Sequence, residues 1–202
     1  MISTAISPEV KDLPYAYTSK CNIVIIGGKA RVGKTTSANY LYSALKFYEV
    51  QGVRLYHTAF SYPIKELASL HFNWDGKKDE RGRRLLQVIG TEAGRTYDEN
   101  LWVKKLEDRI FNQIFPYNFV FVDDWRFPNE RDYFKDNPFY EVTTIGITRD
   151  VKLEEELSSH PSENSLDMSE MDFVIDNNGT IEELNNKLDT IYRYLTSKII
   201  IY

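Results

Sequence analysis

The chain has 202 residues, 42% of them hydrophobic and 27% charged, with a formal net charge of −5. That length suits one well-buried α/β core and is short for two, and the composition is that of an ordinary globular protein. The acidic balance argues against a nucleic-acid polymer as partner; the lone Cys21 excludes an internal disulfide or a cysteine metal cluster and fits a reducing cytoplasm; no apolar run approaches the roughly 18–20 residues of a membrane span.

Residues 1–20 contain Pro8 and Pro14 and show no period, so they read as an extended lead-in, without the pattern of a signal peptide. Asn22 to Ile26 is a β-branched apolar run, expected to be a buried strand. Gly28-Lys29-Ala30-Arg31-Val32-Gly33-Lys34-Thr35 follows, then Thr36, opening a helix to Tyr48. Strand, glycine loop and helix together are the context in which G-x-x-x-x-G-K-[ST] binds nucleotide phosphates. The glycines let the backbone wrap the phosphates, and the amides at the helix start face the anion. Lys34 is expected at the β- and γ-phosphates, and the Thr35 hydroxyl on Mg²⁺.

Gly52 breaks the chain, and Val53 to His57 reads as a second strand. Pro63 suits the first turn of a short helix through Leu70, and residues 73–78 read as a turn. Asp79 to Ile89 is a basic helix carrying Arg81, Arg83 and Arg84, with Gly90 to Gly94 expected to interrupt it. Asp98 to Phe115 has the spacing of a long helix with one buried face. Phe119 to Asp123 is an apolar run ending in acid, as in a central parallel strand. Pro128 to Lys135 reads as a helix and Val142 to Thr148 as a strand; residues 150–170 lack period and read as a mobile loop. Phe173 to Ile175 is a last strand, Asn177-Asn178-Gly179 a turn, and Thr180 with Glu183 a capping box for a final helix.

Five strands alternating with helices predict a P-loop α/β/α three-layer fold around a parallel sheet. The predicted organisation is one domain over 1–202, with a core of 20–59 and 118–202, a helical insertion at 60–117 and a lid near 150–165.

Two GTPase-like matches, Asp176 to Gly179 (D-x-x-G) and Asn186 to Asp189 (N-K-x-D), lie too close together for the intervening strand and switch helix. The second falls inside an amphipathic helix. A small kinase accounts for more of the chain, since it needs a second phosphate site, an acid that organises metal, cations on the transferred group, and a lid. Asp123 and Asp124 end the third strand, where ligands of parallel sheets sit; either is a candidate to hold Mg²⁺ or to act as base. Arg126 and Arg149 are candidates for the transferring phosphate. Within the insertion, Arg81, Arg83, Arg84 and Arg95 are candidates for an acceptor's monophosphate, although Arg83 points away from the face that Arg81 and Arg84 share, so part of the run also reads as a solvated face. Gln87 and Glu92 are candidates for base edges, and Trp102 for stacking, although its spacing also suits a core residue.

Several blocks in order resemble the tailed-phage deoxynucleoside monophosphate kinase family. They are Arg84 to Gln87, Gly90 to Arg95, Leu101 to Val103, Val122 to Glu130, Ser159 to Glu163 and Asp172 to Thr180. The resemblance implies a nucleoside monophosphate kinase fold and transfer of the ATP γ-phosphate to a dNMP, with Mg²⁺ as cofactor. By matching position it implies that Arg84, Gln87, Gly90, Thr91, Glu92 and Arg95 lie in the acceptor region. It further places Asp124 and Arg126 in the family's Asp-x-Arg-Phe-Pro-Asn-Glu segment, Arg149 to Glu163 in the lid, and Asn177, Asn178 and Gly179 near the adenine of ATP. Two features depart from the pattern: a second carboxylate, Asp123, precedes Asp124, and the lid carries Glu154 to Glu156 with only Lys152 as cation. His160 is expected to hydrogen-bond within the lid rather than to shuttle protons. The expected partners are ATP and a dNMP, in the cytoplasm, and the aromatic content of 14% also suits a homodimer. The rival readings are another small-molecule kinase, of the phosphomevalonate or dephospho-coenzyme A type, and an ATPase or regulatory module without an acceptor.

Overall fold

The computed structural model describes residues 16–111, 117–151 and 164–201. Five strands form one parallel sheet: β2 (Cys21–Gly27), β3 (Leu55–Thr58), β4 (Phe119–Trp125), β5 (Tyr140–Thr148) and β6 (Phe173–Asp176), in the order β3-β4-β2-β5-β6. The five strands expected from hydrophobic patterning are these five, so the parallel α/β sheet stands as predicted. A feature the patterning did not indicate is a small antiparallel pair, β1 (Ala16–Tyr17) with β7 (Ile200–Ile201).

β2 is the middle strand, and Ile23, Val24, Ile25 and Ile26 are all fully buried. Side chains alternate across a strand, so such a run must be covered on both faces. Val24 and Ile26 pack with α1 (Lys34–Leu45) and α6 (Ile181–Thr196), through Leu41, Leu45, Leu184 and Leu188. Ile23 and Ile25 pack on the other face with Val103 and Leu106 of α4 (Leu101–Phe111) and Phe134 of α5 (Pro128–Lys135). Each such aliphatic side chain contributes on the order of 1.5–3 kcal/mol when fully buried. α6 begins as expected: Thr180 Oγ1 accepts from Glu183 N at 3.2 Å and Glu183 Oε2 accepts from Thr180 N at 2.7 Å.

The chain between β3 and β4 is helical: α2 (Tyr62–Phe72), α3 (Glu80–Gln87), a π-helical segment (Val88–Arg95) and α4. It has its own small core of Ala68, Ile89 and Trp102, with Ile64, Leu85 and Leu86 against it. Here two expectations are corrected. Gly90 and Gly94 do not interrupt the helix; it continues through them with a wider turn. Glycine serves packing at these positions, because a Cβ on Gly94 would lie 2.4 Å from the Trp102 ring and one on Gly90 would lie 3.0 Å from Ile64. The next helix starts at Leu101 instead of Asp98, because the Asp98 carboxylate accepts from Asn100 N at 2.9 Å and closes a turn first. The far end of that helix, at 112–116, lies outside the described residues. Among the described residues no helix is long and apolar enough to cross a membrane.

Candidate functional site

Ligands of parallel α/β sheets gather at the carboxyl ends of the strands. At that end, the loop from Gly28 to Gly33 joins β2 to α1. Gly28 (φ 134°) and Gly33 (φ 106°) adopt backbone that side chains rarely tolerate. A Cβ on Gly28 would lie 2.3 Å from the Ile147 carbonyl oxygen, so β5 and the loop can approach only without a side chain. Lys34 is 8% exposed and donates from Nζ to the carbonyls of Gly28 (2.8 Å) and Lys29 (2.6 Å). α1 has no side-chain cap and no acidic residue in its first turn. The positive dipole end of α1 therefore favours an anion. α6, by contrast, is capped by Thr180 and carries Glu182 and Glu183 in its first turn.

Asp123 and Asp124 are neighbours on β4, so the pleat sends their carboxylates to opposite faces. Asp123 faces α1: the Thr35 hydroxyl lies on its side and helps draw its carboxyl down, and His57 Nε2 lies 3.6 Å from Oδ2. Burial pushes this carboxyl up, but His57 and Thr35 outweigh it and hold the group below the ordinary aspartate value. Asp124 faces the helical segment instead, and accepts from the backbone amides of Phe60 (2.6 Å) and Ser61 (3.0 Å). Thr35 and Asp123 together make an all-oxygen pair that suits Mg²⁺, a cation that takes few protein ligands and completes its shell with phosphates and water. Among the described residues no cluster of three His, Cys, Asp or Glu side chains offers an all-protein alternative.

Two cavities open at the carboxyl ends of the sheet, one beside β5 and β6 and one beside β4. One, of about 420 Å³, is lined by Gly28, Lys29, Val32, Arg149, Asp176 and Asn178, among others. Asn177 and Gly179 do not line it. Asn177 is 6% exposed, and its Nδ2 donates to the Val32 carbonyl at 2.8 Å, so it braces the loop from behind. Asn178 Oδ1 accepts from Asp150 N at 2.8 Å. The second cavity, of about 180 Å³, brings together Gln87, Gly90, Thr91, Arg95, Trp102, Asp124 and Arg126 with Phe60, Phe127 and Glu130. Arg126 links the two halves, its Nη1 donating to the Gly28 carbonyl at 3.3 Å. Trp102 is 5% exposed and its Nε1 donates to the Gly90 carbonyl at 2.8 Å, so the indole is locked in place.

Arg84 and Glu92 are not brought into this cavity. Arg84 Nη1 donates to Glu92 Oε1 at 2.5 Å on the surface, where both side chains are more than half exposed. A pair so exposed contributes at most about 1 kcal/mol. His160, Lys152, Glu154 to Glu156 and the rest of 152–163 lie outside the described residues.

Two residues that the sequence reading did not single out belong to this arrangement. His57 approaches Asp123; its signal is a polar residue near the carboxyl end of a strand next to the acid-bearing one. Glu130 stands at the third position of α5, 1% exposed. It accepts from the amides of Arg126 (2.9 Å) and Phe127 (3.1 Å) and from the Arg95 guanidinium. Its signal is the proline at the helix start followed by a glutamate.

Burial pushes the Glu130 carboxyl up to about 7, against the pull of Arg95 and of the two amides. A carboxyl held near 7 in the fold, with an ordinary value of 4.5, stabilises the protein fully below about pH 4.5. That contribution is lost as pH rises through about 7. Between pH 4.5 and 7.5 the wild type is therefore expected to lose about 3 kcal/mol relative to Glu130→Gln. Denaturant titrations of both proteins across that range check this; a constant gap would contradict it. A second expected result concerns packing: Gly94→Ala forces Trp102 from its seat and lowers stability by about 1–3 kcal/mol, read as a drop in Tm. An unchanged Tm would show that the ring can yield.

The N-K-x-D match is accounted for by packing. Leu188 is fully buried, Lys187 Nζ donates to the Asp176 carbonyl at 2.6 Å, and Asp189 accepts from Tyr40 at 2.6 Å. All three tie α6 to its neighbours.

Comparison with known proteins adds an independent line. A family model described as deoxynucleotide monophosphate kinase matches residues 74–188, more than half of the chain and wholly downstream of the Gly28–Thr35 loop. No curated protein sequence matches. Solved structures with some likeness include a Chloroflexus aurantiacus protein described as a candidate kinase (14% identity, 89% of this chain and 98% of that one, TM-score 0.46). Others are a shikimate kinase from Acinetobacter baumannii in complex with shikimate (14%, 94% and 96%, TM-score 0.42) and a gluconokinase from Sinorhizobium meliloti 1021 (12%, 87% and 96%, TM-score 0.42).

Proposed function

From the premise that the chain belongs to the deoxynucleotide monophosphate kinase family, we propose that it transfers the γ-phosphate of ATP to a dNMP, giving ADP and a dNDP. The observation that carries this reading is the pair of cavities, one at the Gly28–Gly33 loop and the β5 and β6 ends and the other at the β4 end, with Arg126 of the second bonded to Gly28 of the first. A phosphate-binding loop alone needs only the first. A second cavity lined by Arg95, Arg126, Gln87 and Thr91 supports an acceptor that has both a phosphate and a polar ring edge.

In this reading Lys34 and the amides at the start of α1 hold the donor phosphates, and Arg149 lies beside them. Thr35 and Asp123 are the residues that would hold Mg²⁺, which when bound neutralises charge between the phosphates. Asp124 stays on the acceptor side, where it fixes the start of α2. Arg126 stands between the halves and neutralises the group in transit. Phosphoryl transfer asks for alignment and charge stabilisation more than for proton transfer, so a wall of arginines and amides is sufficient machinery.

A coupled assay of ADP release tests this, run with ATP and Mg²⁺ and with each dNMP and NMP in turn. Release that depends on one or more dNMPs is the expected result. Release independent of any nucleotide acceptor would overturn it in favour of an ATPase. Release only with a non-nucleotide acceptor would favour another small-molecule kinase.

A further inference from the structure

We propose that Glu130 is the positioning residue of the acceptor half, setting Arg95 and the backbone of Arg126 through one buried carboxylate. The proposal rests on the kinase reading above. One oxygen of Glu130 accepts from the Arg95 guanidinium, and the other accepts from the amides of Arg126 and Phe127. Arg95 is also held from two further directions. Its guanidinium carbon lies 4.0 Å above the Phe127 ring, and Nη1 donates to the Glu99 carbonyl at 3.3 Å. Arg95, Arg126, Phe127 and Glu130 all line the same cavity.

Helix capping alone does not explain this arrangement. Glu183 occupies the equivalent position in α6, caps Thr180, and does so exposed and with no arginine among its hydrogen-bond donors there. A carboxylate as buried as Glu130 is costly unless its oxygens are filled and its charge is paired. The arginine that pairs with it is the one in the cavity; Arg84 pairs with Glu92 at the surface. A guanidinium already fixed in orientation loses little freedom when it meets a phosphate, so presetting Arg95 favours acceptor binding.

The test is a double-mutant cycle of Glu130→Gln and Arg95→Ala at pH 8. It follows KM for ATP and KM for the dNMP that the wild type turns over fastest among dAMP, dCMP, dGMP and dTMP. Glutamine keeps an oxygen for the two amides and removes the charge facing Arg95. KM for the dNMP is expected to rise at least about tenfold in each single variant, with KM for ATP within about twofold of wild type. If Glu130 acts through Arg95, the double variant matches Arg95→Ala within about twofold. Multiplying effects, or an unchanged KM for the dNMP in Glu130→Gln, would overturn the proposal. Should Glu130→Gln fail to fold, Arg95→Lys keeps the charge and loses the fork; the same tenfold rise is expected, and an unchanged KM overturns the assignment. A wild type with no dNMP-dependent ADP release defeats the kinase reading itself, an outcome distinct from an active wild type beside an unaffected variant.

Discussion

Lys34→Ala is expected to lower kcat by at least about 100-fold while leaving the fold intact. The Lys34 ammonium is buried to 8% exposure within the loop it would serve, held by the carbonyls of Gly28 and Lys29. Its charge is therefore preorganised where the negative charge of a transferring phosphoryl group develops, and preorganised charge in a sheltered site acts far more strongly than in water. The alanine variant keeps the glycines, the helix start and the brace from Asn177, so its Tm should stay close to wild type. Initial rates and thermal unfolding measured on the same preparation check both halves. Near-normal turnover would remove the loop from the mechanism.

Asp123→Asn is expected to cost a similar factor, about 100-fold in kcat, and to raise the Mg²⁺ concentration needed for half-maximal rate. The reason is its contact with the Thr35 hydroxyl on the face of β4 that meets α1. Asp124→Asn is expected to behave differently. It weakens the acceptance of the Phe60 and Ser61 amides, so the start of α2 loosens and stability falls by about 1–3 kcal/mol. KM for the acceptor should rise more than KM for ATP, and the Mg²⁺ dependence should stay put. Rates titrated against Mg²⁺ for both variants decide the matter. A shift in Asp124→Asn and none in Asp123→Asn would reverse the two roles.

Much of this protein is legible along the chain because the signals are local. The run from Ile23 to Ile26 is apolar without alternation and β-branched, and bounded by a glycine loop, which fits a strand covered on both faces. Gly28 and Gly33 sit where the loop needs positive φ. Thr180 and Glu183 cap α6 by contacts three residues apart. Other features do not follow from sequence spacing. Gly90 and Gly94 look like helix breakers until Trp102 is seen to fill the space they leave. Arg84 and Glu92 look like ligand-binding residues, but they lie eight residues apart and find each other on the surface.

The sequence by itself determined that a parallel α/β core would carry a phosphate-binding loop, because backbone propensity, period and glycine placement are read within a few residues. The tertiary structure alone decided which groups share the space around that loop. Asp123 and Asp124 are adjacent and identical in type, yet a strand's two-residue repeat turns one toward Thr35 and the other toward the amides of Phe60 and Ser61. Arg95 and Glu130 stand 35 residues apart and meet only once α5 packs beside the π-helical segment. What a side chain does here depends on which face it takes and what the fold brings opposite, and those are properties of packing.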